Sequence, residues 1–234
     1  LASAAFGSGA LKSNTEASFN TAVGYEAMAL TTTGGSNTAL GKGALYANTT
    51  GTRNLAIGFG AYDASDTEND NIAIGYDAMT TNTAGGSSNL AIGNYALDAL
   101  TSGDENTAVG MNAGGALTTG GQNTAVGGNA LLTNSTANNN TAVGFNALKL
   151  TTAGGNTALG QQCLQDNSSG EANVGIGQNT LAQNTTGSVN LAIGNNAMTA
   201  NTTGTRNIAI GHTAYDASDT ENDNLAIGYA AMTT

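Results

Sequence analysis

The sequence predicts an all-β protein, a parallel β-solenoid (β-roll) of about fourteen 17-residue coils, and three observations carry that expectation. Asn recurs at 20, 37, 54, 71, 89, 106, 123, 140, 156, 173, 190, 207 and 224, spaced by 17 apart from one step of 18 and one of 16. Behind each Asn runs a short alternation of apolar and small residues, as in Asn20-Thr-Ala-Val-Gly24 and Asn54-Leu-Ala-Ile-Gly58. Finally, Pro and Trp are absent, 34 residues are Gly and 9% are charged, a composition with no material for a bulky aromatic core.

Counting the Asn as position 0, each unit reads N-[TLIV]-A-[VIL]-G-x-x-A-[LMY]-x-x-x-T-x-G-x-x. A degenerate first unit begins at Ser3 and the last is incomplete at Thr234. The unit is too short for a helical-hairpin repeat, so a strand is expected at positions 0 to 4, a second short strand around 7 to 9, and turns elsewhere. Positions 1 and 3 share one strand face and vary together, Thr with Val or Leu, aliphatic with Ile. That pairing predicts that they form the core face, and that Ala at 2 and Gly at 4 make a smooth face turned toward other chains.

The turns follow. The two irregular units change length in Gly/Ser-rich stretches at 85–88 and 154–155, where loops absorb insertions. Thr-x-Gly at positions 12 to 14 supplies turn chemistry. Stacked Asn side chains are expected to form an amide ladder. One coil offers too few aliphatic side chains to order seventeen residues, so a homo-oligomer is expected, most simply a homotrimer. Arg53 and Arg206 occupy position 16, and Asp70 and Asp223 hold that position one coil later. Stacking in register therefore predicts Arg53–Asp70 and Arg206–Asp223 contacts.

The units Asn20–Gly24, Asn54–Gly58 and Asn71–Gly75 resemble the head repeats of trimeric autotransporter adhesins, and the longer N-T-A-V-G-x-x-A-L-x-x-x-T-T-G pattern is similar to phage tail-fibre shafts. This resemblance covers essentially the whole chain and implies a left-handed β-roll with three chains to a fibre. It also implies a structural shaft outside the cell, on a virion or cell surface, that spaces or presents an adhesive or receptor-binding tip, with a cell-surface or glycan receptor as partner.

Function classes narrow by composition. Net charge is −11, with five Lys plus Arg, too few cations for nucleic acid. No apolar run is long enough to insert in a membrane as a helix. With one His (His212) and one Cys (Cys163, at a recurrent Ala position), no catalytic constellation, cofactor site or metal site can be assembled, and no enzyme is expected. The acidic turns Asp63–Asp70 and Asp216–Asp223 leave a calcium-assisted adhesin open, and the Thr row at position 12 leaves an ice-binding solenoid open. Residues 1–234 read as one repetitive shaft. Residues 48–81 and 201–234 agree at 29 of 34 positions, which points to duplication of a nine-coil block and to a longer array that continues past Thr234.

Overall fold

Each Asn-led unit forms one coil that carries a single three-residue strand, as a computed structural model describing residues 2–81, 85–217 and 219–233 shows. All fourteen strands are parallel, and the all-β, parallel β-solenoid expected from the sequence is observed. The coils group into two units, Leu1–Gln122 and Asn123–Thr234. In the first, β1 (Ala4–Phe6), β2 (Thr21–Val23), β3 (Thr38–Leu40), β4 (Leu55–Ile57), β5 (Ile72–Ile74), β6 (Leu90–Ile92) and β7 (Thr107–Val109) pair in chain order. In the second, β8 (Thr124–Val126), β9 (Thr141–Val143), β10 (Thr157–Leu159), β11 (Val174–Ile176), β12 (Leu191–Ile193), β13 (Ile208–Ile210) and β14 (Leu225–Ile227) do the same.

Register is that of the repeat. Ile72 pairs with Leu90 across the 18-residue coil, and Thr141 with Thr157 across the 16-residue one, so the turns absorb both length changes. Residues 82–84, just before the Gly/Ser stretch at 85–88, lie outside the described residues. The second strand expected at positions 7 to 9 is absent from the described coils; that stretch is a run of turns. Its main chain bonds between coils one group at a time, as when Met28 N donates to Ala44 O at 3.0 Å.

The assignment of faces from sequence is reversed in the structure. Ala22, Ala39, Ala56 and their counterparts at position 2 are buried in every coil but the first, where Ala5 is exposed, whereas positions 1 and 3 are half-buried or exposed throughout. The reason is size. The inside of a coil holds Ala at positions 2 and 7, one larger side chain at position 8 such as Leu45 or Met28, and polar groups at 0 and 11. A second branched side chain on each strand has no room there, so Val, Ile and Leu turn outward. Gly at position 4 does not form a smooth outer face either. At Gly24 (φ 138°) and Gly58 (φ 139°) a Cβ would run into the carbonyl of the next coil's glycine, and that φ is open only to glycine.

The Asn ladder is real, and its bonding runs between side chain and main chain. Asn37 N–H donates to Asn20 Oδ1 at 2.8 Å, and Asn20 Nδ2 donates to Gly34 O, across its own coil, at 2.8 Å. The same pair of bonds recurs at Asn54, Asn106 and Asn190. Each amide closes one coil and accepts the next. A second polar column at position 11, missed in the sequence, adds Asn184 Nδ2 to Asn167 Oδ1 at 2.7 Å and Asn201 Nδ2 to Asn184 Oδ1 at 2.8 Å.

Removing one rung orphans a buried main-chain group. Replacing Asn190 by Ala leaves Asn207 N–H without the partner it has at 3.0 Å, while Gly204 O keeps Asn201 Nδ2 at 3.2 Å. An unsatisfied buried group costs about 1–3 kcal/mol, and a loss of that size is expected. Urea unfolding followed by far-UV circular dichroism measures it; an unchanged midpoint counts against the ladder as a source of stability.

Candidate functional site

The interior is closed to chemistry. Position 12 to 14 N–H groups converge on one carbonyl of the next coil, as Thr32, Thr33 and Gly34 do on Thr49 O at 3.0, 3.2 and 3.1 Å. The position 12 hydroxyls join them: Thr32 Oγ1 donates to Thr49 O at 3.2 Å and Thr185 Oγ1 to Thr202 O at 3.0 Å. The Thr row considered for ice binding is thus tied into the backbone.

The residues singled out in the sequence fall at separate places. Arg53 Nε and Nη2 donate to both carboxylate oxygens of Asp70 at 2.6 and 2.7 Å, and Arg206 repeats the fork on Asp223 at 2.6 and 2.8 Å. Both predicted contacts are present, on the outside of the turn. The hydrogen bonds from Arg53 hold Asp70 below the usual carboxylate range, and those from Arg206 do the same to Asp223. In the turn Asp63–Asp70, Asp66 accepts from the Thr49 hydroxyl while Glu68 folds inward. Among the described residues no group of three or more His, Cys, Asp or Glu is arranged to hold a metal ion.

Glu68 stands at position 14, where most coils carry Gly. With Asn at position 11, as at Asn48, a Cβ on Gly51 would collide with Asn48 Oδ1. The coil of Glu68 has the smaller Ser65 at position 11, and the Glu68 carboxylate enters the coil. It accepts Asp66 N–H at 2.9 Å, Thr67 N–H at 3.0 Å and Gly85 N–H at 3.1 Å. Ser-x-x-Glu therefore substitutes for Asn-x-x-Gly, and the acidic turn is in part a packing solution.

His212 is exposed and stacks on Tyr229, ring centroids 5.5 Å apart. Cys163 is buried, and burial pushes its thiol up to about 12, far from a nucleophile's range. A Cβ on Gly175 would sit 2.5 Å from Cys163 Sγ, so the one Gly at position 2 answers the one Cys at position 7. An exposed ladder at positions 5 and 6 runs from Lys42 over Phe59 (5.0 Å) through a stacked Phe59–Tyr76 pair (5.3 Å) to an edge contact with Tyr95 (5.5 Å). All three rings remain exposed on the outside of the coil.

What remains outward and regular is the sheet face at positions 1 and 3. No charged residue occupies either position in any strand. In the first unit β4, β5 and β6 present Leu55, Ile57, Ile72, Ile74, Leu90 and Ile92, while β2, β3 and β7 present Thr beside Val or Leu. In the second, β8 to β10 are Thr-faced and β11 to β14 wholly aliphatic. Leu40 is 48% exposed, Leu159 47% and Ile208 39%. Together these side chains line the sheet face with regular, largely apolar rows.

Comparison with known proteins adds no family: no family model, no curated protein and no solved structure matches the chain.

Two expected outcomes test this description. Gly175→Ala is expected to destabilise the fold by about 1–3 kcal/mol through overpacking, and Cys163→Ala in the same chain to recover most of it. Additive effects in that double-mutant cycle would mean that the two sites do not share space. The second concerns pH. Asp63 is raised by burial and then by Asp77, and Asp98 by burial and, less, by Asp77. A carboxylate raised on folding is penalised when charged, so stability should rise as pH falls through the folded-state values of Asp63 and Asp98. Asp70 and Asp223 are lowered, so their contribution is present above the unfolded value near 3.8 and is lost only as pH falls through the lower folded values. Urea midpoints between pH 7 and 3 should therefore climb before they drop, and Asp77→Asn should flatten the climb.

Proposed function

We propose that the chain is a structural fibre or filament shaft that acts outside the cell, on a virion or cell surface, and assembles from several copies of itself. In this role it spaces or presents an adhesive or receptor-binding element; a trimer is the assembly the repeat resemblance favours. One observation carries the reading: each coil spends its main-chain groups and interior amides on the next coil, while the branched aliphatic side chains of its strand face outward. An array of this kind supports load along its length and offers long, regular surfaces for lateral association.

The homo-oligomer expected from sequence is kept here, with a different contact. Ala108 and its equivalents are inside the coil, so enlarging them attacks the fold itself. The lateral contact is assigned instead to positions 1 and 3.

Ile74→Lys places a charge on that face without touching the interior. The expected result is an oligomer for the parent chain in sedimentation velocity, and a dissociated, still β-rich chain for the variant. A parent chain that stays monomeric at about 100 µM, well above the affinity range of specific protein contacts, would refute the assembly.

A further inference from the structure

Two near-identical stretches of the chain differ in chemistry at one outward patch. Residues 48–81 and 201–234 disagree at five positions. Two are exchanges of Leu and Ile at position 1. The other three, Phe59 for His212, Gly60 for Thr213 and Asp77 for Ala230, fall on positions 5 and 6. Gly60 and Asp77 are physically coupled. Gly60 has φ 60° and Thr213 has φ 52°, so the backbone alone does not demand glycine there. Space does: a Cβ on Gly60 would collide with Asp77 Oδ1, and Asp63 Oδ2 lies 4.0 Å from the same point. Gly60 thus gives the Asp77 carboxylate room to reach across a coil toward Asp63. Where Ala230 stands in place of Asp77, the room is not needed and Thr213 fits.

In the first unit the exposed rings of Phe59, Tyr76 and Tyr95 share these coils with Asp63, Asp77 and Asp98, at positions 6 and 9. Other outward carboxylates have a cation: Lys12 meets Glu26 at 3.3 Å, and Arg53 meets Asp70 at 2.6 Å. Asp63, Asp77 and Asp98 are in no ion pair among the described residues. We propose that this face, positions 5, 6 and 9 from Lys42 to Asp98, docks a polypeptide segment rich in Lys or Arg. The proposal goes beyond the fibre reading and uses a surface other than the strand face at positions 1 and 3.

Three features select that partner. The chain carries −11, and the patch adds three carboxylates without a paired cation, so charge complementarity calls for positive groups. Asp63 and Asp98 stand two coils apart, about 10 Å, and among the described residues no three acidic groups are arranged to hold a metal ion. Separate cationic groups match that spread better than one ion. Lastly, Lys and Arg join an apolar stem to a charged tip, which suits rings and carboxylates set side by side. The ladder already shows the contact within the chain, since Lys42 Nζ lies 5.0 Å over the Phe59 ring.

Fluorescence anisotropy of a labelled peptide alternating Arg and Gly, titrated with the full chain, tests the face. Binding is expected at low ionic strength and should weaken as salt rises. The triple variant Phe59→His, Gly60→Thr, Asp77→Ala gives the first block the residues that the second already carries at 212, 213 and 230. Its far-UV circular dichroism should be unchanged, and its affinity for the peptide should fall at least about tenfold. Glu105→Gln removes one charge at position 16 of the same unit and should leave the affinity as it was. No binding at about 100 µM chain overturns the docking face. Unchanged affinity of the triple variant overturns it too, as does an equal loss in Glu105→Gln, because either result reduces the attraction to overall negative charge. The assembly of copies is read separately, by sedimentation, and stands or falls without this patch.

Discussion

The rise from one coil to the next is the constraint from which the rest follows. Strands paired in register stand about 4.8 Å apart, and every part of a coil must accept that spacing. At the corner after each strand the backbones come so close that a Cβ on Gly24 would strike Gly41 O, and one on Gly41 would strike Gly58 O. Glycine there is a condition for stacking. The Asn of position 0 meets the same condition from inside, with one amide long enough to take the next coil's N–H and also close its own coil on position 14. Ser3, at position 0 of the first coil, makes both bonds at longer range, accepting Asn20 N–H at 3.1 Å and donating to Ala17 O at 3.4 Å, whereas a carboxylate loses the donor.

Close stacking fixes the width of the interior, and the width decides which residues go in. Two Ala, one Leu, Met or Tyr and a pair of amides fill a coil. Where one residue departs, its neighbours answer. Tyr62 reaches Asn71 Nδ2 with its hydroxyl at 2.5 Å. Cys163 is answered by Gly175, and Ser65 by Glu68. These exchanges hold the filled volume nearly constant from coil to coil, as dense packing requires. Position 8 is more demanding still, because Leu45 and Leu181 occupy it with φ of 52° and 51°, a conformation that disfavours side chains. Burial and main-chain bonds to the next coil hold them there, Leu45 N donating to Ala61 O at 3.1 Å and Leu181 N to Ala197 O at 3.0 Å.

This accounts for what the sequence showed and what it concealed. The period, the Gly at position 4, the Asn ladder and the Arg53–Asp70 and Arg206–Asp223 contacts were legible because each depends only on which residues recur at which spacing. The faces were misread because branched aliphatic residues were equated with core. In a solenoid this narrow the signal was the reverse: Ala recurs at positions 2 and 7 because the site admits nothing larger. Positions 1 and 3 vary between Thr, Leu, Ile and Val because their outward surroundings are less confining. The amide stack at position 11 was concealed because it is confined to Asn167, Asn184 and Asn201, while Ser65, Leu100, Leu117 and Thr151 hold that position elsewhere. Only the partner at position 14 shows what each one needs.

A coil whose main chain and interior are committed to stacking has few places left where function can differ. Those places are the outward rows, and they do differ. Position 5 passes from Lys42 through Phe59 and Tyr76 to Gln161, Gln178 and His212, and positions 1 and 3 pass between Thr-faced and aliphatic stretches. None of these changes disturbs the rung beneath, because the hydrogen bonds belong to the main chain and to buried amides. The outer surface can therefore vary while the shaft keeps its geometry. A block such as residues 48–81 can also recur at 201–234 with five changes, at 55, 59, 60, 72 and 77. All five fall on positions 1, 5 or 6, outside the buried set of positions 0, 2, 7, 8, 11 and 14. The two segments share their stacking chemistry and differ only at positions 1, 5 and 6, which is the distribution expected when the interior residues serve the coil.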